Sequence, residues 1–220
     1  MIIMKNRKTM KKAGALVLVI GLLASIGIGA YLTDTDVKTD AYTIGSVEIE
    51  NNFVAQNPEY MIANQVTSYD NATISNVGIS DAFVFMTVDV PVVTTGTHEA
   101  DGTPVADATL ELFAQSGMSA DWVQVGNVLD VTEGGELVAK RYVYAYGSAD
   151  ALTALATGET TSDVFTDLTA INFDNDLADT AGYEVELTAY GIQTQGLGDD
   201  TSAEAVWEII RNAFSISEAR

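Results

Sequence analysis

One histidine limits what this chain could do by acid–base or metal chemistry. His98 is followed by Glu99, which opens like a His-Glu-x-x-His zinc site. That site needs two imidazoles one helical turn apart, with the glutamate as base. Position 102 is Gly102, so the second ligand is missing, and TTGTHEADGTP reads as a solvated loop. A serine–histidine–carboxylate site would need the same His98, and no serine stands in a nucleophile-elbow sequence. Carboxylates are plentiful, with 31 Asp and Glu, so pairs able to cleave a glycoside arise by chance and none is singled out. Calcium is the better-founded candidate, because Asp174, Asp176 and Asp179 gather hard oxygen ligands in DNDLAD. The loop departs from an EF-hand, which wants Gly at its sixth position and Glu at its twelfth, where Asp179 and Val185 stand. A solvated acidic loop is the plainer reading, and beyond this calcium candidate no cofactor is expected. Tyr142, Tyr144 and Tyr146, with Trp122 and Trp207, are types that stack on sugars. Tyrosines at alternate positions more often pack on a core or pair across strands.

No cysteine is present, so thiol chemistry and Cys-ligated metals are excluded and a core must supply the stability. The sequence opens with a basic stretch, Lys5, Arg7, Lys8, Lys11 and Lys12. An apolar run over 13–28 follows, then the small pair Gly29-Ala30. Charge, apolar run and small residues in that order read as a secretory signal, cut after Ala30 with Gly29 as the rival. A retained anchor is the alternative, but a run of about 16–18 residues is at the lower limit for a bilayer. Five Lys and Arg then remain after the cut against all 31 Asp and Glu, a net charge of −26 for residues 31–220. Such a surface repels nucleic acid and anionic lipid, which need clustered cations.

The rest reads as mostly β. Residues 43–50 alternate, with Val47 and Ile49 on one side. Residues 82–90 place Ala82, Val84, Met86, Val88 and Val90 on one face and Phe83, Phe85, Thr87 and Asp89 on the other. Residues 184–194 alternate similarly. Runs over 121–131 and 137–146 flank Glu133-Gly134-Gly135-Glu136, a hairpin pattern. Thr201 with Glu204 predicts a capping box, opening a helix striped by Val206, Ile209, Ile210, Ala213 and Phe214. Residues 110–118 are a second helical candidate, and 94–107 reads as a surface loop. Many short strands with Gly-rich turns predict a sandwich or barrel, and spacing does not choose between them.

The segment AYLTDTDVKTDAYTIGSVEIE resembles the signal-and-start segment of the TasA/camelysin group. The matching positions are Ala30, Tyr31, Thr33-Asp34, Tyr42 and Gly45-Ser46-Val47-Glu48-Ile49. ISNVGISDAFVFMTVDVP, DWVQVGNV, the block opening at RYVYAYGS and YEVELTAYGIQTQGL resemble later blocks in the same order. The resemblance implies a mainly β protein, a jelly-roll β-sandwich with short helices in its connections, preceded by a cleavable signal helix. It implies secretion to the extracellular matrix or cell surface after processing by a SipW-type signal peptidase, with membrane contact only before cleavage. The expected layout is 1–30 signal peptide, 31–41 N-terminal donor-strand arm and 42–220 jelly-roll domain. Donor residues would be Tyr31, Leu32, Thr33, Asp34, Val37 and Ala41.

An extended arm can add a strand to another molecule's sheet edge. If each copy donates and accepts, the contact does not close and a fibre grows. The group resemblance implies this for a biofilm-matrix fibre subunit, a homopolymer that other matrix subunits could join. The alternative for the arm is to fold back as an ordinary first strand. The alternatives for function are a camelysin-like secreted metalloprotease, disfavoured by the lone His98, and a surface adhesin or glycan-binding module. The chain is expected not to be an enzyme.

Overall fold

The computed structural model describes residues 33–37, 40–43, 47–54, 64–98, 102–172, 184–197 and 199–216. The expected signal peptide, the cut at Ala30 and Tyr31, Leu32, and the calcium candidates Asp174, Asp176 and Asp179 lie outside these residues. In chain order the strands are β1 (Thr33–Val37), β2 (Asp40–Thr43), β3 (Ile49–Asn51), β4 (Val66–Ser68), β5 (Ile74–Asn76), β6 (Ala82–His98) and β7 (Pro104–Glu111). They continue with β8 (Phe113–Ser116), β9 (Trp122–Gln124), β10 (Leu129–Glu133), β11 (Glu136–Tyr146), β12 (Asp167–Ala170) and β13 (Glu186–Gln193). The helix described is α1 (Ala203–Phe214). The chain is therefore mainly β, as expected, with antiparallel ladders throughout the described sheets.

The main sheet runs β10-β11-β6-β13-β1-β2, with β7 also on β6 and β9 on β11. Two smaller sheets are β4-β12-β8 and β3-β5. On β6, Ala82, Val84, Met86, Val88 and Val90 enter one core with Val47, Ile49, Phe53, Ile74 and Leu168 from the smaller sheets and their connections. Period-two side chains make this face continuous. The opposite face is also covered. Phe85 and Tyr190, register partners on β6 and β13, both pack on Trp207 of α1 with ring centroids 5.6 Å apart. Burial on both faces explains why β6 is apolar on both.

Pro91 lies within this central strand, a place proline normally avoids because it cannot donate to a ladder. It falls between the β13 pairing, which ends at Asp89, and the β7 pairing, which begins at Val92. Its carbonyl accepts from the Leu112 N–H at 3.0 Å.

Several sequence expectations hold. The Gly134-Gly135 turn closes β10 on β11 through Glu133↔Glu136, with φ of 61° and 91° at the two glycines, as a two-residue hairpin turn requires. Val47 and Ile49 are buried and Glu48 and Glu50 exposed. Others need correction. Residues 110–118 are not helical: β7 ends there and β8 follows, because pairing with β12 outweighs a weak local preference. The stretch 94–107 is not a loop but largely the β6–β7 hairpin. The expected strand over 121–131 is two, β9 and β10, both on β11. The helix cap is Ser202, one residue after Thr201: its hydroxyl accepts from Ala205 N, and Ser202 N donates to Asp200 Oδ1 at 3.0 Å. The carboxylate of Asp200 thus serves the entry to α1. Within the stretch expected to form the arm, β1 pairs antiparallel with β2, from Asp34↔Thr43 to Val37↔Asp40. An extended segment beside an open edge satisfies its main-chain groups by pairing there. Among the described residues no helix is long and apolar enough to cross a membrane.

Candidate assembly edge

β13 is built to hold a neighbour on each side. Leu187 and Ala189 face the core, while Thr188, Tyr190 and Ile192 alternate with them and are also buried. One side of β13 pairs with β6 from Glu186↔Asp89 to Gln193↔Ala82. The other side takes β1, from Thr33↔Ile192 to Val37↔Thr188. Where that ladder stops, Asn51 Nδ2 donates to the Leu187 carbonyl at 2.9 Å. The expected donor positions Thr33, Asp34 and Val37 are therefore on β1, seated against the chain's own last strand, and Ala41 is on β2, opposite Asp36. This is the fold-back arrangement. β2 has β1 as its neighbour and ends the sheet path.

Gly191 lies opposite Asp34 in β1 and Val84 in β6. Ile49 and Val47 pack over it closely enough that no Cβ fits. A glycine inside an apolar strand signals such close approach, and YEVELTAYGIQTQ carried that signal unread. Asn76, which opens the Asn-x-Gly of the ISNVGIS block, is a second anchor. It is fully buried, and its Nδ2 donates to Ser80 O at 2.9 Å and Leu155 O at 2.8 Å, while its Oδ1 accepts from Gly78 N at 3.1 Å.

The aromatics put forward as sugar platforms are engaged within the chain. Tyr142 and Tyr144 stack on each other, with centroids 6.5 Å apart and planes at 6°. Their hydroxyls donate to Glu111 Oε2 at 2.8 Å and Gln115 Oε1 at 2.9 Å. Burial, with Glu111 nearby, pushes the Tyr144 phenol up to about 12. Burial and the bond to Glu111 raise Tyr142 too. Trp122 packs edge-on to Tyr146 at 5.3 Å and donates Nε1–H to Ser162 O at 2.9 Å. Trp207, on α1, is buried against Phe85 of β6 and Tyr190 of β13.

The cations are engaged as well. Arg141 grips Asp89 with two bonds, Nε to Oδ1 at 2.7 Å and Nη2 to Oδ2 at 2.5 Å. These bonds raise its pKa against the opposing effect of burial. Lys140 pairs with Asp130 at 2.5 Å, and Arg211 with Glu208. Each Lys and Arg among the described residues thus already holds a carboxylate. His98 ends β6 opposite Pro104, on a strand rather than on the helical turn a zinc motif needs. Among the described residues no three His, Asp or Glu side chains are grouped to hold a metal ion. No family model, curated protein or solved structure matches this chain.

Proposed function

We propose that this chain is a secreted structural subunit of extracellular, biofilm-matrix-type fibres, polymerising head to tail through its N-terminal strand once a signal peptide has been removed. The observation that carries the reading is the β1–β13 ladder: the first described strand completes the main sheet by pairing with the last. Main-chain bonds of that kind carry no record of which copy supplies the strand, so another molecule's β1 can fill the same seat. A head-to-tail contact of this type propagates into a fibre where its rotation does not close into a ring. The antiparallel sheets facing across one core are compatible with a jelly roll. The resemblance of residues 30–49 to the TasA/camelysin start segment supports secretion and cleavage by a SipW-type peptidase.

The proposed role is structural, without catalysis, and takes self as the chief partner. A lone histidine on a strand supports that reading over a camelysin-like protease. Internally bonded tyrosines support it over glycan binding. Negative-stain microscopy of the secreted protein tests it: fibres are expected, and a uniformly monomeric preparation under all salt and pH conditions would sink it.

A further inference from the structure

We infer, resting on that fibre reading, that the unit exchanged between copies is the whole β1–β2 hairpin, not a lone strand. In the sheet path β13-β1-β2, β2 is joined to the sheet through β1. Its register runs Asp34↔Thr43 to Val37↔Asp40, so only two residues connect the strands. If β1 left alone, β2 would lose its partner and its backbone groups would have no ladder. If the hairpin leaves intact, the β1–β2 ladder survives, and what breaks is the β1–β13 ladder and the cover that β3 shares with it. A neighbouring copy's β13 restores that ladder in the same register. Breaking one ladder and remaking it costs less than breaking two.

The exchanged unit ends before Val47. That residue is fully buried, Glu48 O accepts from Val77 N and Gly78 N at 2.9 Å, and β3 pairs with β5. Thr43 and Val47 are four steps apart, a reach of at most about 14 Å when extended. So short a hinge holds successive copies close together and favours exchange over slack self-pairing.

The absence of cysteine allows a clean test. Register partners across an antiparallel pair have Cα atoms about 4.5–5.5 Å apart, within disulfide reach. Asp34→Cys with Thr43→Cys, oxidised before assembly, locks the hairpin shut. Val37→Cys with Thr188→Cys, oxidised after assembly, reports whose β13 holds β1. The expectation is no loss of fibre yield for the locked hairpin relative to its reduced form, and a ladder of covalent multimers from the second pair. Fibres from the reduced hairpin variant but none from the oxidised one would mean that a lone strand exchanges, and would overturn the inference while leaving the fibre reading intact. Fibres whose second pair links only within single chains would remove N-terminal exchange altogether. No fibres from the parent chain would overturn the fibre reading itself.

Discussion

The Cγ2 methyl of Ile49 stands over Gly191, 2.9 Å from where a Cβ would be; Ile49 Cδ1 and Val47 Cγ1 follow at 3.3 Å. Both β3-side residues are β-branched, stiff at χ1 and fully or nearly fully buried, so neither can step aside. Gly191→Ala restricts the unfolded chain, a gain of about 0.4–1 kcal/mol. Overpacking a filled core costs about 1–3 kcal/mol. The clash wins, and the variant should melt at lower temperature than the parent. An unchanged or raised Tm would show that β3 does not sit on β13 this closely.

Asn76 ties the β5–β6 loop to the segment around Leu155. Asn76→Ala leaves the Leu155 and Ser80 carbonyls and the Gly78 N–H without their side-chain partner. Leu155 O and Gly78 N keep backbone partners in Ala82 N and Glu48 O, so each lost side-chain bond counts at its net worth of about 0.5–1.5 kcal/mol, and a loss of at least about 1.5 kcal/mol is expected in urea unfolding. Asn76→Asp keeps the acceptor for Gly78 but sets a carboxylate against two carbonyls. It should be no better than alanine at neutral pH and should recover part of its stability in acid, where the carboxyl protonates. A loss under half a kcal/mol for both variants would remove Asn76 as an anchor.

Alkali should unfold the protein through its tyrosines. A buried phenol resists ionisation, so the folded pKa of Tyr144, about 12, lies above the ordinary value near 10. Tyr142, Tyr146 and Tyr190 are shifted the same way, chiefly by burial. A raised acid pKa means the stabilisation is complete below about pH 10 and is lost as pH rises towards 12. Ultraviolet titration should show a delayed group of tyrosines that ionise together with unfolding. Tyr144→Phe should flatten the fall in stability over that window. A single unshifted transition for all tyrosines would contradict the packing of β11.

Local and strictly periodic features were legible in the sequence. The alternation in β6, the Gly134-Gly135 turn and the apolar stripe of α1 are each decided within about a dozen residues. Ser202 rather than Thr201 caps the helix because Asp200 fixes the backbone one residue later. What the sequence hid depends on partners distant along the chain. Residues 113–116 are a strand only because β12, over fifty positions later, pairs with them. Pro91 reads as a strand breaker until β13 and β7 are seen to leave it a gap. The seat for β1 likewise needs β13, so residues 31–41 alone could not tell a free arm from a hairpin.

Processing should leave Tyr31 at the N-terminus of secreted material. The basic stretch to Lys12, the apolar run and Gly29-Ala30 carry that expectation. N-terminal sequencing checks it directly, and retention of residues 13–28 in secreted protein would overturn it. Ala30→Arg places a bulky charge where a small residue is needed, and should hold the protein in the cell membrane fraction.

Assembly should quicken in salt and in mild acid. After the cut, 31 Asp and Glu face five Lys and Arg, and the described cations are already spent on Asp89, Asp130 and Glu208. Two copies therefore approach as like-charged bodies with no free described cation to bridge them. The repulsion reaches about 10 Å at 0.1 M salt and about 3 Å at 1 M. The hinge limits the spacing between exchanged strand and donor body to about 14 Å, comparable with the longer of those reaches, so screening acts where the contact forms. Light scattering of freshly prepared protein should show a lag that shortens with sodium chloride, and shortens again as pH falls and carboxylates protonate. A lag that lengthens with salt would mean that the contact runs on attraction between opposite charges, and that surfaces other than the β13 edge bring the copies together.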